Sequence, residues 1–349
     1  MRLEPKPAPT LVETFAYPLG AVVVTFVIAS LLVLAAGASP FSVFALVAKG
    51  AAGSRFAIME TLTRATPLIF TGLAVAVAFR AKLWNIGAEA QLYAGALITV
   101  VLATGALPLP APILIPILMI AAMAAGALLL LGPALLKTRL GVDEVVTTLL
   151  LNFIMLLFVS MLLEGVLKDP MGMGWPRSPK IIADAQLPKL IARTRLHLGF
   201  LIAIVSAVVV WIIMKKTTLG YEMRAVGHNA EAARFAGIPV NSVLMKTALL
   251  SGGLAALGGF SEVTGLKSNL TLDLSPGFGY TGIVVAMLAM LNPLGVVLSA
   301  IFVAGIFVGA DAMSRTAGVP SYIADVMVAT ALLTMVVAIM MTRFRVRWR

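Results

Sequence analysis

From about residue 15 to residue 341 the chain returns repeatedly to runs of roughly twenty apolar residues, and no stretch between them is long enough for a water-soluble domain. A helix needs about 20 such residues to cross the ~30 Å hydrocarbon core of a bilayer. Short or interrupted helices are tolerated where they pack inside a bundle. Only 12% of residues are charged, against about a quarter in soluble domains, and the mean hydropathy is +1.04. The expected fold is an all-α polytopic membrane protein, a single transmembrane domain over residues 1–349 with about ten transmembrane helices. Two candidates, near 278–291 and 294–310, are short and separated only by a tight turn, so they are read as either two spans or a re-entrant hairpin.

The chain carries a net charge of +11. With the N-terminus in the cytoplasm, 15 of the 26 Lys and Arg fall inside, among them Arg80, Lys82, Lys137, Arg139, Lys215, Lys216 and the tail residues Arg343, Arg345, Arg347 and Arg349. That satisfies the retention of basic residues on the cytoplasmic side, and an even span count makes both termini cytoplasmic. The basic excess therefore has a membrane cause, and no soluble basic face exists for a nucleic acid. Two hydrophilic stretches interrupt the bundle, a periplasmic loop at about 165–196 and a cytoplasmic loop at about 216–246. Neither is large enough to hydrolyse a nucleotide, and no G-x-x-x-x-G-K-[ST] loop occurs. Cysteine is absent, and His197 and His228 fall on opposite sides of the membrane, so no metal site and no catalytic dyad is expected.

The cytoplasmic loop contains a helix signal. Asn229 is a good N-cap, Glu231 suits the first turn, and Gly237 followed by Pro239 gives a stop. The apolar face of this two-turn helix would be Ala232, Phe235 and Ala236, at spacing i, i+3, i+4. So short a helix needs a surface to rest on, either another protein or the lipid headgroups.

Polar residues inside apolar segments are the other candidates, because polar groups at membrane depth are costly and face a cavity or a protein partner. Asn85, Glu89 and Gln91 read as a break between two helices, with Trp84 at the interface, Gly87 in the turn and Glu89 also complementing the next helix's dipole. Asn152, deep in its segment, either bonds a neighbouring helix or lines a solute path. Phe278 and Tyr280 either contact a passing solute or belong to an interfacial aromatic belt. In the outer loop Arg177, Lys180, Arg193 and Arg195 either offer rim charges to an acidic partner or merely solvate a long loop and meet anionic lipid. Gly252, Gly253, Gly258 and Gly259 have the spacing that lets membrane helices approach closely. The stretch 71–76, Thr-Gly-Leu-Ala-Val-Ala, is echoed at 281–286 as Thr-Gly-Ile-Val-Val-Ala.

The run Gly-His-Asn-Ala-Glu-Ala-Ala-Arg-Phe-Ala-Gly-Ile-Pro-Val at 227–240 resembles the coupling-helix segment of ABC importer permeases of the ribose, galactose and nucleoside branch. Three further stretches, at 79–91, 143–152 and 279–286, resemble the same family and fall in its order. The form Asn-Ile-Gly-Ala-Glu-x-Gln at 85–91 is similar to the nucleoside-type members (purine nucleoside, BMP-family-lipoprotein-dependent) more than to the ribose type. Ala90 stands where members often have Gly, and Ala230 where they usually have Pro. The resemblance implies a vitamin-importer-like (type II) permease fold in a bacterial inner membrane. It implies alternating-access translocation of nucleosides or related simple sugars, with no bond-making chemistry of the chain's own. It also implies no cofactor on this chain, ATP and Mg residing on a partner ATPase that would meet Gly227, His228, Asn229, Glu231, Ala232, Ala233, Arg234, Phe235 and Gly237. A second, related permease subunit and an extracytoplasmic substrate-binding protein are the other implied partners. The alternative is an ion-gradient-driven secondary transporter, which calls for membrane-embedded carboxylates; Glu262 is a loose candidate.

Overall fold

The computed structural model describes residues 2–5, 11–35, 37–105, 107–317 and 322–347. The chain forms two compact units, one made of Met1–Thr61 with Phe302–Arg349 and the other of Leu62–Ile301. In chain order the helices are α1 (Leu11–Ala35), α2 (Pro40–Ala52), α3 (Arg55–Arg80), α4 (Ala88–Ala103), α5 (Ala111–Leu140), α6 (Glu144–Glu164), α7 (Gly199–Lys216), α8 (Thr218–His228), α9 (Ala230–Phe235), α10 (Val240–Glu262), α11 (Phe278–Leu288), α12 (Pro293–Ala317) and α13 (Tyr322–Arg343). A π turn, Val263–Lys267, continues α10.

Among the described residues six helices are long and apolar enough to cross a membrane, and a seventh span results if α1 and α2, bent by 111° at their break, count as one. All ten apolar segments of the sequence are helical, but α4 and α11 have only 16 and 11 residues. At 1.5 Å per residue they reach about 24 and 17 Å, short of the ~30 Å core. The ambiguous pair thus resolves into one short helix, α11, and one full-length helix, α12. They are joined by a turn in which Met290 and Leu291 take left-handed φ values of 51° and 57°. Helices α2 and α8 are the elements that the sequence did not announce, and α2 has its own start signal. Helix α2 starts with Pro40 at its first position, where a missing N–H costs nothing.

In the unit Leu62–Ile301, α10 packs against both α5 and α4, and 78% of its apolar stretch is buried; α3 is buried to 89%, whereas α6 and α7 reach only 22% and 33%. Glycines set its distance from α5 and α4. A Cβ on Gly252 would overlap the carbonyl of Gly126, one on Gly126 that of Gly252, one on Gly259 that of Leu92, and one on Gly95 that of Ala256. Backbones in direct contact gain dispersion and weak Cα–H···O bonds along the whole seam, the main source of helix association where lipid removes the hydrophobic drive. Gly253 and Gly258 are looser, with nearest atoms at 3.3 and 3.4 Å. Large apolar side chains such as Leu128, Leu157 and Val205 point outward, 60% or more exposed, and in a membrane that is the lipid side.

In the other unit α1 runs against α13, with the hydroxyls of Thr25 and Thr334 3.0 Å apart. Val33, Val43, Ala310 and Met313 form a small core, and Phe26 meets Phe44 edge-on at 5.2 Å. Strand β1 (Arg2–Pro5) pairs antiparallel with β2 (Phe344–Arg347), which brings the two ends of the chain together.

If the α4–α10–α5 seam holds the second unit together, Gly259→Leu should lower the detergent-solubilised protein's unfolding temperature strongly, by overpacking of several kcal/mol. Gly253→Ala should change it by less than about 1 kcal/mol. Thermal unfolding followed by tryptophan fluorescence checks the contrast; equal effects would remove the seam from its central role.

Candidate functional site

Helix α3 ends in a turn in which Ala81 and Leu83 both bond the carbonyl of Ala78, and Lys82 takes a φ of 54°. The chain then passes inward through Asn85, which is fully buried and uses its whole hydrogen-bonding inventory. Its Oδ1 accepts from Gly87 N (3.0 Å) and Gln91 Nε2 (2.9 Å), and its Nδ2 donates to Gln91 Oε1 (2.9 Å) and Ser251 Oγ (3.0 Å). Ser251 passes its own proton to the carbonyl of Ala74 at 2.7 Å. One face of α6 holds the same stretch: Glu144 accepts from Trp84 N, Thr148 from Ile86 N, and Asn152 accepts from Ala90 N at 2.9 Å while donating to Ile86 O at 2.9 Å. These three sit at i, i+4 and i+8, one stripe of the helix. Asn152 therefore bonds a neighbouring element, the first of its two sequence readings. Glu144 also pairs with Lys137, and Asp143 caps α6 through Val145 N.

This scaffold aims the start of α4 at the start of α11. Glu89, 3% exposed, accepts through Oε2 from Gly279 N at 2.6 Å. Gly279 has no room for a side chain, since a Cβ there would overlap the backbone of Glu89. Gly277, at φ 92°, turns the chain into α11, and Ser275 Oγ accepts from Gly277 N and Phe278 N. Tyr93 OH donates to Leu272 O (2.6 Å) and accepts from Ser275 N (3.3 Å), while Thr71 Oγ1 donates to Phe278 O (2.9 Å). Two short helices thus meet N-terminus to N-terminus with one carboxylate between them, where both helix dipoles favour negative charge. Broken helices that end inside the membrane build binding sites in many transporters. Of the six residues proposed for a path, Asn85, Gln91 and Asn152 form the buried frame. Glu89 and Phe278 make the junction, and Tyr280, 38% exposed, is the one that presents a ring outward. The two echoed stretches pack on each other here: Gly72 lies against Val285, and Gly282 against Thr71.

At the other end of α10 the helix expected after Asn229 is present. Asn229 Oδ1 accepts from Glu231 N (3.0 Å) and Ala232 N (3.1 Å), and Gly237, at φ 83°, ends the turn after α9. Ala233 is the residue that points inward, 4% exposed, whereas Ala232, Arg234 and Ala236 are exposed and Phe235 is 97% exposed. Gly227 lies on the carbonyl of Arg80, so α8 touches the end of α3 backbone to backbone. Beside α9 a cleft of about 500 Å³ is lined by Lys82, Trp84, Lys137, His228 and Asn229.

The loop at 165–196 is anchored on the far ends of the central helices. Ser178 N bonds Leu270 O, Ile181 N bonds Ser268 O, and Leu187 N bonds Thr264 O, each at 2.9 Å. Of the four basic residues singled out there, Lys180, Arg193 and Arg195 are exposed, while Arg177 pairs with Asp169 at 3.1 Å. His197, just ahead of α7, is fully buried. Its Nδ1 accepts from Gly199 N (3.2 Å), and Nε2 has no hydrogen-bond partner among the described residues. Burial lowers its pKa to about 4. No group of three or more metal-ligating side chains occurs among the described residues.

Apolar helices with exposed outward sides, two short apolar helices meeting at a buried glutamate and a capped helix projecting at one end define a multi-pass membrane transport permease. Residues 57–342 match the family model described as branched-chain amino acid transport system / permease component, and the chain belongs to that family. It is 36% identical to a guanosine ABC transporter permease of Bacillus subtilis, over 90% of this chain and 91% of that one. It is 33% identical to a glucose ABC transporter permease of Haloferax volcanii, over 99% and 93%, and 33% identical to a nucleoside ABC transporter permease of Lactococcus lactis, over 89% and 88%. A second, more distant guanosine permease of Bacillus subtilis also matches, at 29% identity over 70% of this chain and 78% of that one. No solved structure matches the chain.

Two outcomes follow from the geometry. Glu89→Ala leaves Gly279 N–H buried without an acceptor, which should cost about 1–3 kcal/mol of stability, whereas Glu89→Gln keeps an acceptor oxygen and should recover part of it. Chemical denaturation in detergent of both variants checks this, and equal stability of wild type and Glu89→Ala would dissolve the junction. For His197 the folded pKa lies below the ordinary 6.5, so its contribution is complete above about pH 6.5 and falls away as pH drops toward 4, by roughly 3 kcal/mol in all. His197→Asn should flatten the stability profile across that window; an unchanged acid limb would assign it to other groups.

Proposed function

We propose that the chain is the permease subunit of an ATP-binding-cassette importer that carries nucleosides, with simple sugars as the related solute class. The single observation that carries the coupling part is α9: a capped two-turn helix, pinned by Ala233 and presenting a fully exposed Phe235. An exposed aromatic on a rigid base is the form of an interface anchor. The partner is a separate ATPase subunit, which holds ATP and Mg, and Gly227, His228, Asn229, Glu231, Ala232, Ala233, Arg234, Phe235 and Gly237 build or face its docking surface. The nucleoside assignment is supported by relatives whose names carry guanosine and nucleoside transport, with a glucose permease at similar identity.

Movement of α9 has a short route inward. Gly227 rests on Arg80, the last residue of α3, and the next turn leads through Asn85 to Glu89 and the α11 junction. ATP-driven closure of two nucleotide-binding subunits would shift α8 and α9, and the junction at Glu89 and Gly279, with Tyr280 beside it, is the place where the path changes its access. The presence in Bacillus subtilis of two guanosine permeases related to this chain supports a heterodimer of this subunit with a second permease. We read ten spans with both termini in the cytoplasm of a bacterial inner membrane; the pairing of β1 with β2 supports the even count, since it puts both terminal strands on one side. The loop at 165–196 is then periplasmic and receives a substrate-binding protein on Lys180, Arg193 and Arg195, with Arg177 at its base. An ion-gradient transporter, for which buried Glu262 at the end of α10 was the candidate carboxylate, is disfavoured because the relatives are named as ABC transporter permeases.

Reconstitution with the ATPase, the second permease and the binding protein tests the proposal. Phe235→Ala and Ala232→Glu should each reduce ATP-dependent uptake of guanosine by about tenfold or more while ATPase docking weakens and membrane insertion is kept. Ala233→Glu should instead unfold α9. Full uptake in both surface variants would refute the coupling role.

A further inference from the structure

The cleft of about 500 Å³ beside α9 brings Lys82, Trp84, Lys137, His228 and Asn229 to one opening. It lies wholly within the unit Leu62–Ile301, and its volume is that of a small-molecule site. The described residues that line it include no carboxylate. The basic residues cluster where α3, α5 and α8 end, and a cation at a helix end often does no more than face the last carbonyls. Here the backbone meets those carbonyls itself. Ala81 N and Leu83 N bond Ala78 O, Lys82 N bonds Phe79 O, Gly141 N bonds Lys137 O, and Asn229 N bonds Ala225 O. Lys137 is paired with Glu144. The side chains of Lys82 and His228 have no hydrogen-bond or ion-pair partner among the described residues. Asn229 caps α9 through Oδ1 alone, which leaves its Nδ2 to donate. Trp84 is held edge-on against Phe79, ring centroids 4.7 Å apart, and remains 43% exposed.

We propose that this cleft binds a small organic phosphate, with Lys82, His228 and Asn229 on the phosphate oxygens and Trp84 against the base or the apolar part. The side chains left over are donors: an ammonium, a ring N–H and an amide NH₂. A phosphate is their complement, since its oxygens only accept and its charge strengthens each bond. An exposed indole with a fixed ring adds a stacking surface that any nucleobase can use. A nucleotide and the headgroup of an anionic phospholipid both present this chemistry, and both are found on the cytoplasmic side to which the proposed orientation assigns the cleft.

Occupation of the cleft has a mechanical consequence, and that part rests on the importer reading. The ligand would join the turn after α3, through Lys82 and Trp84, to the corner between α8 and α9, through His228 and Asn229. These are the two pieces that meet where Gly227 lies on the carbonyl of Arg80. A shift of α9 relative to α3 has to break the ligand's bonds on one side, so a filled cleft slows uptake. The cleft borders the surface assigned to the ATPase, which makes the ATPase its competing occupant.

The test measures equilibrium binding of radiolabelled guanosine monophosphate to the complete transporter in nanodiscs of zwitterionic lipid, with guanosine and inorganic phosphate as comparison probes. Wild type should bind the monophosphate about tenfold or more tightly than guanosine. Lys82→Asn suits the left-handed backbone at φ 54° but removes the charge, and should weaken binding about tenfold or more; Lys82→Arg should recover most of it. Trp84→Leu should weaken the monophosphate and leave inorganic phosphate unchanged. Displacement of the monophosphate by a soluble short-chain phosphatidylglycerol assigns the phosphate to lipid, and its absence assigns it to the nucleotide. Vesicles loaded with the monophosphate should take up guanosine several-fold more slowly than empty ones, a ratio that Lys82→Asn should narrow. Equal affinity for guanosine and its monophosphate, or wild-type affinity in Lys82→Asn, overturns the proposal. So does binding to the permease chain alone that vanishes in the complete transporter, which gives the cleft to the ATPase. Lys82-dependent binding without ATP-driven uptake removes the importer reading and leaves the site; uptake without such binding removes the site alone.

Discussion

Backbone-to-backbone contact along α10 is the constraint on which the rest of the unit Leu62–Ile301 depends. Lipid tails are as apolar as leucine, so nothing drives these helices together except close fit and the bonds that it permits. Gly252 and Gly259 on α10, Gly126 on α5 and Gly95 on α4 leave room for backbone to meet backbone at these contacts. Once α4 and α10 are that close, Ser251 is within reach of Asn85, and the polar frame around the start of α4 can be completed without water.

That frame shows how a membrane protein holds irregular backbone. Residues 81–87 leave their N–H and carbonyl groups without helical partners, a cost of several kcal/mol each in a hydrocarbon setting. Ala81 N and Leu83 N turn back to Ala78 O, Glu144 and Thr148 on α6 take the N–H groups of Trp84 and Ile86, Asn152 donates to Ile86 O, and Asn85, itself held by Gln91, takes Gly87 N. The same logic operates at α11, where Ser275, Tyr93, Thr71 and Glu89 satisfy the entry to a helix too short to reach the surface unaided.

Much of this was legible in the residues. The apolar runs gave the helices; Asn229, Glu231 and Gly237 gave α9 because capping is local chemistry written in consecutive positions; and the cluster from Asn85 to Gln91 gave the break before α4. What was hidden depends on contacts distant in sequence. That Glu89 bonds Gly279, 190 residues away, leaves no trace in either segment alone. Ala233 and Ala232 are alike in the sequence, and only the packing of α9 decides which one is buried. Helix α2 escaped because its 13 residues are too few to read as a span. The echoed stretches at 71–76 and 281–286 were visible as a pattern, but their mutual packing through Gly72 and Gly282 belongs to the fold.

The carboxylate between α4 and α11 has one more consequence, for selectivity. Two helix N-termini facing each other would by themselves make a positively polarised spot inside the membrane, attractive to phosphates and other anions. Glu89 fills that spot with a carboxyl group of the protein's own, whose Oε2 already takes the N–H of Gly279. Along the proposed path an uncharged solute such as a nucleoside needs nothing from that position, while a nucleotide finds the anion-binding place taken.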